Sequence, residues 1–180
     1  MIRENLSLIR PVLQAKLNRF GLAPAPFPYV ALTFSVTNFC NSKCLSCDIW
    51  MQYRDKPELK FEELNLVELE KVFKSLGRVH YFNISGGEPF SRRDLPQIVA
   101  LAVKYLKPKV VHTPTNALYG QRVVDMTREI LQSLPSDVEF TIKPSYDGVG
   151  AEHDRVRGIP GNYAKLLLVF NGLMELKKEF

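Results

Sequence analysis

The chain has 180 residues, of which 46% are hydrophobic and 24% are charged, and its formal net charge at pH 7 is +5. This length and balance suit one globular domain with a substantial core. No apolar run approaches the ~20 residues that a membrane-spanning helix needs. Most of the positive charge lies near the N-terminus, and the mild excess elsewhere gives no argument for nucleic-acid binding.

Residues 1–28 are predicted to form a basic amphipathic helix followed by a proline-rich linker. Apolar residues recur every three or four positions from Ile2 to Phe20, and Gly21 can end the helix. The prolines that follow predict a stiff, extended connection. We favour packing of this helix against the body of the protein, because most amphipathic helices pack in this way. The alternative, suggested by its basic polar face, is a weak contact of residues 1–20 with a membrane surface.

Residues 29–180 alternate between strand and helix patterns. Segments rich in β-branched and aromatic residues predict four strands, which are Val30–Val36, Val79–Ile84, Val110–Thr115 and Val138–Ile142. Each strand is followed by a helical pattern. Asn65 and Glu68 predict a capping box for the first helix, and Asp94 is expected to cap the second. The fourth helix is expected to bury one apolar face, made of Tyr163, Leu166, Leu167, Phe170 and Met174.

Strand starts about thirty or more residues apart are typical of β-α-β units, so we expect an α/β fold with a parallel sheet of four strands. Right-handed crossovers place the carboxyl ends of all four strands at one edge. The polar and glycine-rich segments follow these ends, and α/β folds place their active sites there. The sequence therefore predicts one site, built from the cysteines, Gly86-Gly87, Thr115-Asn116 and Ser145–Gly148.

The three cysteines of the chain are Cys40, Cys44 and Cys47, all within eight residues. Their odd number and the lack of a signal peptide argue against a disulfide framework and favour a reducing cytoplasm. The spacing could also place three small core residues on one helical face, but the residues between them are mostly polar. A structural zinc site would need a distant fourth ligand. We favour an iron–sulfur centre with one position left free of cysteine.

The spacing Cys-x3-Cys-x2-Cys, within the segment from Val36 to Trp50, resembles the cluster motif of the radical S-adenosylmethionine (radical SAM) superfamily. The resemblance implies that Cys40, Cys44 and Cys47 ligate three irons of a 4Fe–4S cluster. The fourth iron would bind the amino and carboxylate groups of S-adenosylmethionine. The family's core is a partial (β/α) barrel of six β-α units. Residues 29–180 would then be an incomplete core of about four units, preceded by the amphipathic helix.

Four consecutive residues, Gly86, Gly87, Glu88 and Pro89, resemble the family's motif that contacts the amino group of S-adenosylmethionine. Glycines would let backbone carbonyls approach such a ligand. By the same resemblance, Asn116, Ser145 and Asp147 would help to bind the ribose or the carboxylate of the cofactor. As turn residues, these three also have an ordinary structural explanation.

Three further positions bear on the resemblance. Ala117 stands where relatives often have glycine, and Ser46 stands where they often have an aromatic residue, which Trp50 could replace. Arg157 could pair with a carboxylate of cofactor or substrate, although a solvated surface arginine is its ordinary role. The adjacent pair His153-Asp154 is not interpreted as a metal site, because neighbouring side chains generally diverge.

The activity implied by the resemblance is reductive cleavage of S-adenosylmethionine to a 5′-deoxyadenosyl radical, which abstracts hydrogen from a substrate. A one-electron donor such as flavodoxin or ferredoxin would be the partner, and the substrate would be a peptide or a small molecule of unknown identity. No nucleic-acid partner is expected. The alternatives are a non-catalytic remnant that binds the cluster and cofactor, and a structural zinc protein.

Overall fold

A computed structural model of the chain describes residues 9, 13–14, 16–22 and 29–180. The described positions up to Arg19 are helical, as the amphipathic pattern predicts. Ile9, Leu13 and Phe20 are 56%, 55% and 73% exposed, so these apolar positions are not packed against the body of the protein. The rest of the predicted N-terminal helix and the proline-rich linker lie outside the described residues.

The sheet has four parallel strands in the order β1-β2-β3-β4 and is not closed. The strands are β1 (Tyr29–Thr37), β2 (Val79–Gly86), β3 (Val110–Thr115) and β4 (Glu139–Pro144). The predicted parallel α/β architecture is therefore confirmed, with strand ends that differ from the predicted ones by at most two residues. A strand order that follows the chain order places each connecting helix beside the sheet and leaves β1 and β4 as the outer strands.

Helices connect and flank the strands. They are α1 (Ile49–Asp55), α2 (Leu66–Leu76), α3 (Leu95–Leu106), α4 (Gln121–Ser133), α5 (Ala151–Arg157) and α6 (Asn162–Glu179), with 3-10 turns at Pro57–Glu62 and Pro89–Ser91. The sequence patterns missed α1 and α5, because seven residues are too few to display a helical period. In the parts of the chain that the structure describes, none of these helices combines the length and apolar character that a bilayer crossing requires.

The helix starts agree in part with the predicted caps. The side chain of Asn65 accepts hydrogen bonds from the first turn of α2, and Glu68 reaches back to the Asn65 amide, which completes the predicted capping box. Asp94 does stand before α3, but its carboxylate makes no capping hydrogen bond. It binds the Arg92 guanidinium through two contacts of 2.9 and 2.6 Å, so an ion pair replaces the expected cap.

The core lies between the sheet and the helices α2, α3 and α4. Phe73 of α2 packs edge-on against Phe34 and Phe82 of the sheet, at ring-centroid distances of 5.6 and 5.5 Å. Ile98 and Ile130 of the next two helices are fully buried. Burial of side chains of this size stabilises the fold by about 1.5–3 kcal/mol each. This packing of the helices against the sheet holds the strands, and therefore their carboxyl ends, in place.

The expected buried face of α6 differs from the observed one. Leu166 is buried as predicted, but Leu167, Phe170 and Met174 are 44%, 51% and 43% exposed. The buried side of the helix instead includes Val169. An apolar groove of about 560 Å³ runs between β4, α4 and α6 along the outer edge of the sheet. The groove thus borders β4, an outer strand of the sheet.

Candidate functional site

The carboxyl ends of the strands are joined by short backbone contacts. The amide of Gly87, after β2, donates to the Thr37 carbonyl at the end of β1 at 2.8 Å, and the Glu88 amide donates to Phe39 at 2.8 Å. Between β3 and β4, the Ser145 amide after β4 donates to the Thr115 carbonyl at the end of β3 at 2.9 Å. These contacts continue the sheet pairing beyond the strands and fix where each loop begins.

The double glycine is required by the packing of the chain on itself. A Cβ atom at Gly86 would lie 2.1 Å from the Thr37 carbonyl oxygen, and one at Gly87 would lie 2.1 Å from the Phe39 carbonyl oxygen. Gly86 also has a φ of +119°, which L side chains rarely adopt. The glycines therefore let β2 approach the segment that leads into the cysteines, a role that needs no ligand.

The loop that carries the cysteines rests on the end of α5. The Lys43 amide donates to the Arg157 carbonyl at 3.1 Å, and the Leu45 amide donates to the Val156 carbonyl at 2.9 Å. The fully buried Ser42 hydroxyl donates to the Arg157 carbonyl at 2.9 Å. Gly158 follows with a φ of +68°, and a Cβ there would lie 2.2 Å from the Lys43 carbonyl oxygen. Backbone contacts with a distant helix thus hold the loop.

All three cysteines are free thiols on this loop, with Cys40 and Cys44 half-buried and Cys47 exposed. Burial raises the pKa of the Cys40 thiol above its usual value. The Ser42 hydroxyl lies 3.2 Å from the Cys44 sulfur. Within the described ranges, no group of three or more cysteine, histidine or acidic side chains is gathered closely enough to hold a metal ion. The donor chemistry of three thiols on one loop suits iron or zinc.

Glu88 links the ends of β2 and β3 from a buried position, with 1% of its surface exposed. Its carboxylate accepts hydrogen bonds from the Phe90 amide at 3.1 Å, the Thr115 hydroxyl at 3.1 Å and the Asn116 amide at 2.6 Å. Burial raises the pKa of Glu88 to about 7, although these donors and Arg157 act in the opposite direction. Glu88 therefore orders the strand ends from inside the protein.

Asn116 lies between Glu88 and the cysteine loop and is 4% exposed. Its side-chain nitrogen lies 2.8 Å from the Asn41 side-chain oxygen and 3.7 Å from the Cys40 sulfur. Ala117, next to it, has a φ of +63°, in the left-handed region that favours glycine. This conformation gives a physical reason why glycine would suit that position. The structure brings Asn116, Glu88 and Cys40 into one connected group.

Comparison with known proteins decides the family. The model of the radical SAM superfamily matches residues 34–165, which include the cysteine loop, the double glycine and all four strand ends. The chain belongs to the radical SAM superfamily. Its relatives bear the names of enzymes, and the match covers the elements that form the candidate site.

Several relatives within the radical SAM superfamily align with this part of the chain. The mycofactocin maturase MftC of Mycolicibacterium smegmatis is 30% identical over 132 residues, 72% of this chain and 30% of that protein. A probable GTP 3′,8-cyclase of Archaeoglobus fulgidus is 31% identical over 98 residues, 54% of this chain and 31% of that protein. The Fe-coproporphyrin III synthase of Methanosarcina barkeri is 27% identical over 135 residues, 73% of this chain and 31% of that protein. The chain therefore spans about a third of the length of these relatives.

The remaining predicted residues of this radical SAM domain lie at the end of β4. Ser145 is half-buried, and Asp147 is exposed and accepts a hydrogen bond from the Arg157 guanidinium at 3.1 Å. The Arg157 Nε atom is buried and has no hydrogen-bond partner among the described residues. Arg157 is thus a mostly covered arginine with one unused donor, which differs from a solvated surface side chain.

The pair His153-Asp154 is used in the packing of α5 against α6. The fully buried His153 ring accepts a hydrogen bond from the Asp147 amide at 3.2 Å. The Asp154 carboxylate accepts hydrogen bonds from the amides of Gly161 and Tyr163 at 2.6 and 2.7 Å. These backbone contacts lower the pKa of Asp154. The two side chains therefore have separate structural roles.

Two residues of the site were not anticipated from the sequence. The fully buried Asn162 side chain donates to the Asn116 carbonyl at 2.8 Å. Ser42 anchors the cysteine loop to α5 from a position that looked like part of a polar surface loop. Both contacts join residues far apart in the chain, and no local pattern signals them. Their polar side chains at the edges of predicted elements were the only available hint.

Proposed function

We propose that this chain is the cofactor-binding part of a radical SAM enzyme, with a 4Fe–4S cluster held by Cys40, Cys44 and Cys47. The observation that carries the proposal is the set of three free thiols on one loop, fixed by hydrogen bonds to α5 at the carboxyl edge of the sheet. Three thiolates leave one position of the centre for another ligand.

S-Adenosylmethionine is proposed to bind beside the cysteine loop, in contact with the segment Gly86–Pro89. When bound at these cysteines, a reduced cluster would supply the electron for reductive cleavage of this cofactor, the chemistry that gives a 5′-deoxyadenosyl radical able to abstract hydrogen from substrate. The buried Glu88 carboxylate holds the ends of β2 and β3 together, so the carbonyl groups of this segment keep a fixed position. A preorganised backbone of this kind suits an ammonium donor such as the amino group of the cofactor.

Ser145 and Asp147 are proposed to contact the ribose or the carboxylate of the cofactor, and Asn116 is proposed to support the same region from its buried position directly after β3. Ser145 and Asn116 lie at adjacent strand ends, since the Ser145 amide binds Thr115. Arg157 binds Asp147 at 3.1 Å and its charge acts on Glu88, and we propose that its unused Nε donor serves a carboxylate of the cofactor or substrate. These four side chains line the same edge as the cysteines, which supports one continuous binding region.

The substrate and the electron donor are proposed only by class. Flavodoxin or ferredoxin would supply the electron, and the exposed Cys47 marks a side of the loop that a donor protein can approach. The relatives carry names that point to different substrates, among them a maturase and a GTP cyclase. We therefore propose a peptide or a small molecule as the substrate of this chain. We also propose the cytoplasm as its compartment.

Anaerobic iron–sulfur reconstitution tests the proposal. The wild-type chain is expected to bind iron and sulfide with a 4Fe–4S spectrum that changes when S-adenosylmethionine is added. Cys44→Ala should lose most of its iron, whereas Ser46→Ala, on the exposed part of the same loop, should retain it. Tight zinc binding without iron uptake would contradict the proposal and support a structural zinc site. Formation of 5′-deoxyadenosine under reducing conditions would distinguish an enzyme from a non-catalytic remnant.

A further inference from the structure

Asn116 is held by its neighbours in one orientation. Its backbone amide donates to Glu88 at 2.6 Å, and its backbone carbonyl accepts from the buried Asn162 side chain at 2.8 Å. Its side-chain oxygen accepts from the Leu118 amide at 2.9 Å. Because an amide hydrogen already occupies that oxygen, the side-chain nitrogen must face the other way.

The nitrogen of this side chain faces the cysteine loop. It lies 2.8 Å from the Asn41 side-chain oxygen and 3.7 Å from the Cys40 sulfur. An amide nitrogen carries two hydrogens, so Asn41 and Cys40 can each receive one. The side chain is 4% exposed, which limits competition from water for the hydrogen that faces the sulfur.

We propose that Asn116 makes the cluster easier to reduce by donating a hydrogen bond to the Cys40 thiolate. This inference rests on the proposed ligation of the cluster by Cys40. One added electron, supplied by the donor protein, takes a 4Fe–4S centre from its 2+ to its 1+ state and increases the negative charge on its sulfur ligands. A fixed N–H donor stabilises that charge, and hydrogen bonds to sulfur are among the factors that set the reduction potential of such centres.

The size of the effect follows from the strength of the contact. A hydrogen bond to a charged group is stronger than one between neutral groups, and only the difference between the two oxidation states changes the potential. We expect loss of the donor to lower the ratio of reduced to oxidised cluster at a fixed potential about tenfold, or about 59 mV for one electron.

The test is a redox titration of reconstituted protein, followed by electron paramagnetic resonance of the reduced cluster. Asn116→Ala removes the donor without adding charge, and its potential is expected to fall. Asn83→Ala is the matched control, because Asn83 lies on the same sheet and its side chain binds the Thr33 hydroxyl at 3.3 Å. Its potential should equal that of the wild type. An unchanged potential in Asn116→Ala would overturn the inference, even if that variant bound less iron.

Two further measurements test the inference if Asn116→Ala does not fold. Asn116→Asp keeps the acceptor for the Leu118 amide while losing the donor and adding a negative charge, so its potential should fall at least as far as that of Asn116→Ala, whereas that of Asn83→Asp should stay near the wild-type value. In the wild type labelled with ¹⁵N-asparagine, pulsed resonance should detect a nitrogen coupled to the reduced cluster. Absence of that coupling would overturn the inference. Absence of any iron in the wild type would instead refute the proposed function, which separates the two failures.

Discussion

Replacing Gly158 by alanine is expected to displace the cysteine loop from the end of α5. The new Cβ would lie 2.2 Å from the Lys43 carbonyl oxygen and 2.8 Å from its carbon, both backbone atoms that cannot rotate away. The loop must therefore retreat by about 1 Å to restore an ordinary van der Waals contact. Such a shift would strain the three hydrogen bonds that join Ser42, Lys43 and Leu45 to α5.

Two costs add up in this variant. The left-handed backbone at Gly158, with a φ of +68°, disfavours alanine by about 1–2 kcal/mol. Loss of two of the three hydrogen bonds would remove about 1–3 kcal/mol more. Gly161 allows the backbone cost to be measured without the hydrogen-bond cost, because it has a φ of +79° and a Cβ there would meet nothing within 4 Å. Gly161→Ala should therefore lose only about 1–2 kcal/mol, which is the cost of the left-handed backbone.

Urea unfolding of the two variants and the wild type provides the measurement. Gly158→Ala should lose about 2–5 kcal/mol of unfolding free energy, and Gly161→Ala about 1–2 kcal/mol. Iron bound per chain after reconstitution should fall in Gly158→Ala and stay near the wild-type value in Gly161→Ala. Equal stability loss and equal iron content in both variants would refute the argument that close packing against α5 shapes the loop.

Three other predictions concern single residues. Burial raises the pKa of Glu88 from 4.5 to about 7, so the folded state binds this proton more tightly than the unfolded state does. The free energy of unfolding should therefore decline by about 3 kcal/mol as the pH rises from 4.5 to 7. Glu88→Gln should lack this slope in urea titrations, and parallel slopes in both proteins would show that another group titrates. Asp154→Ala should destabilise the start of α6 at pH 7, and its deficit should vanish as acid protonates the wild-type carboxylate, whose lowered pKa reflects two backbone donors. Lys107→Gly should raise the thermal midpoint with a gain of about 1 kcal/mol, because Lys107 ends α3 in the left-handed conformation; a lower midpoint would contradict this.

Local patterns in the sequence were sufficient to predict the sheet and the residues at its carboxyl edge. Strand periodicity located β1 to β4, and the order of polar segments placed the cysteines, Glu88 and Asn116 at one edge. The glycine pair was found for a ligand-related reason, whereas the structure explains it by the approach of Thr37 and Phe39. The positions of these residues were predictable because each follows directly after a strand. The contacts that they make could not be predicted from the same patterns.

Contacts between distant segments could not be predicted. The Ser42 hydroxyl meets the Arg157 carbonyl across 115 positions, and Asn162 meets Asn116 across 46. The exposed side of α6 was also missed, because a helical period shows that Phe170 and its neighbours share a side but does not show what covers them. Within the described ranges, that side of α6 borders the open groove at β4.

The long sequence separation between the cysteine loop and α5 has a consequence for the order of folding. Local turns form quickly, whereas contacts across more than a hundred residues must wait for the intervening chain to be ordered. The segment from Ser42 to Leu45 precedes β2, β3 and β4 in the chain, but its contacts with α5 need a helix that follows all of them, so we expect it to reach its final shape late in folding. We therefore expect that a metal centre bound by this loop would be inserted late, after nearly the whole described chain has folded.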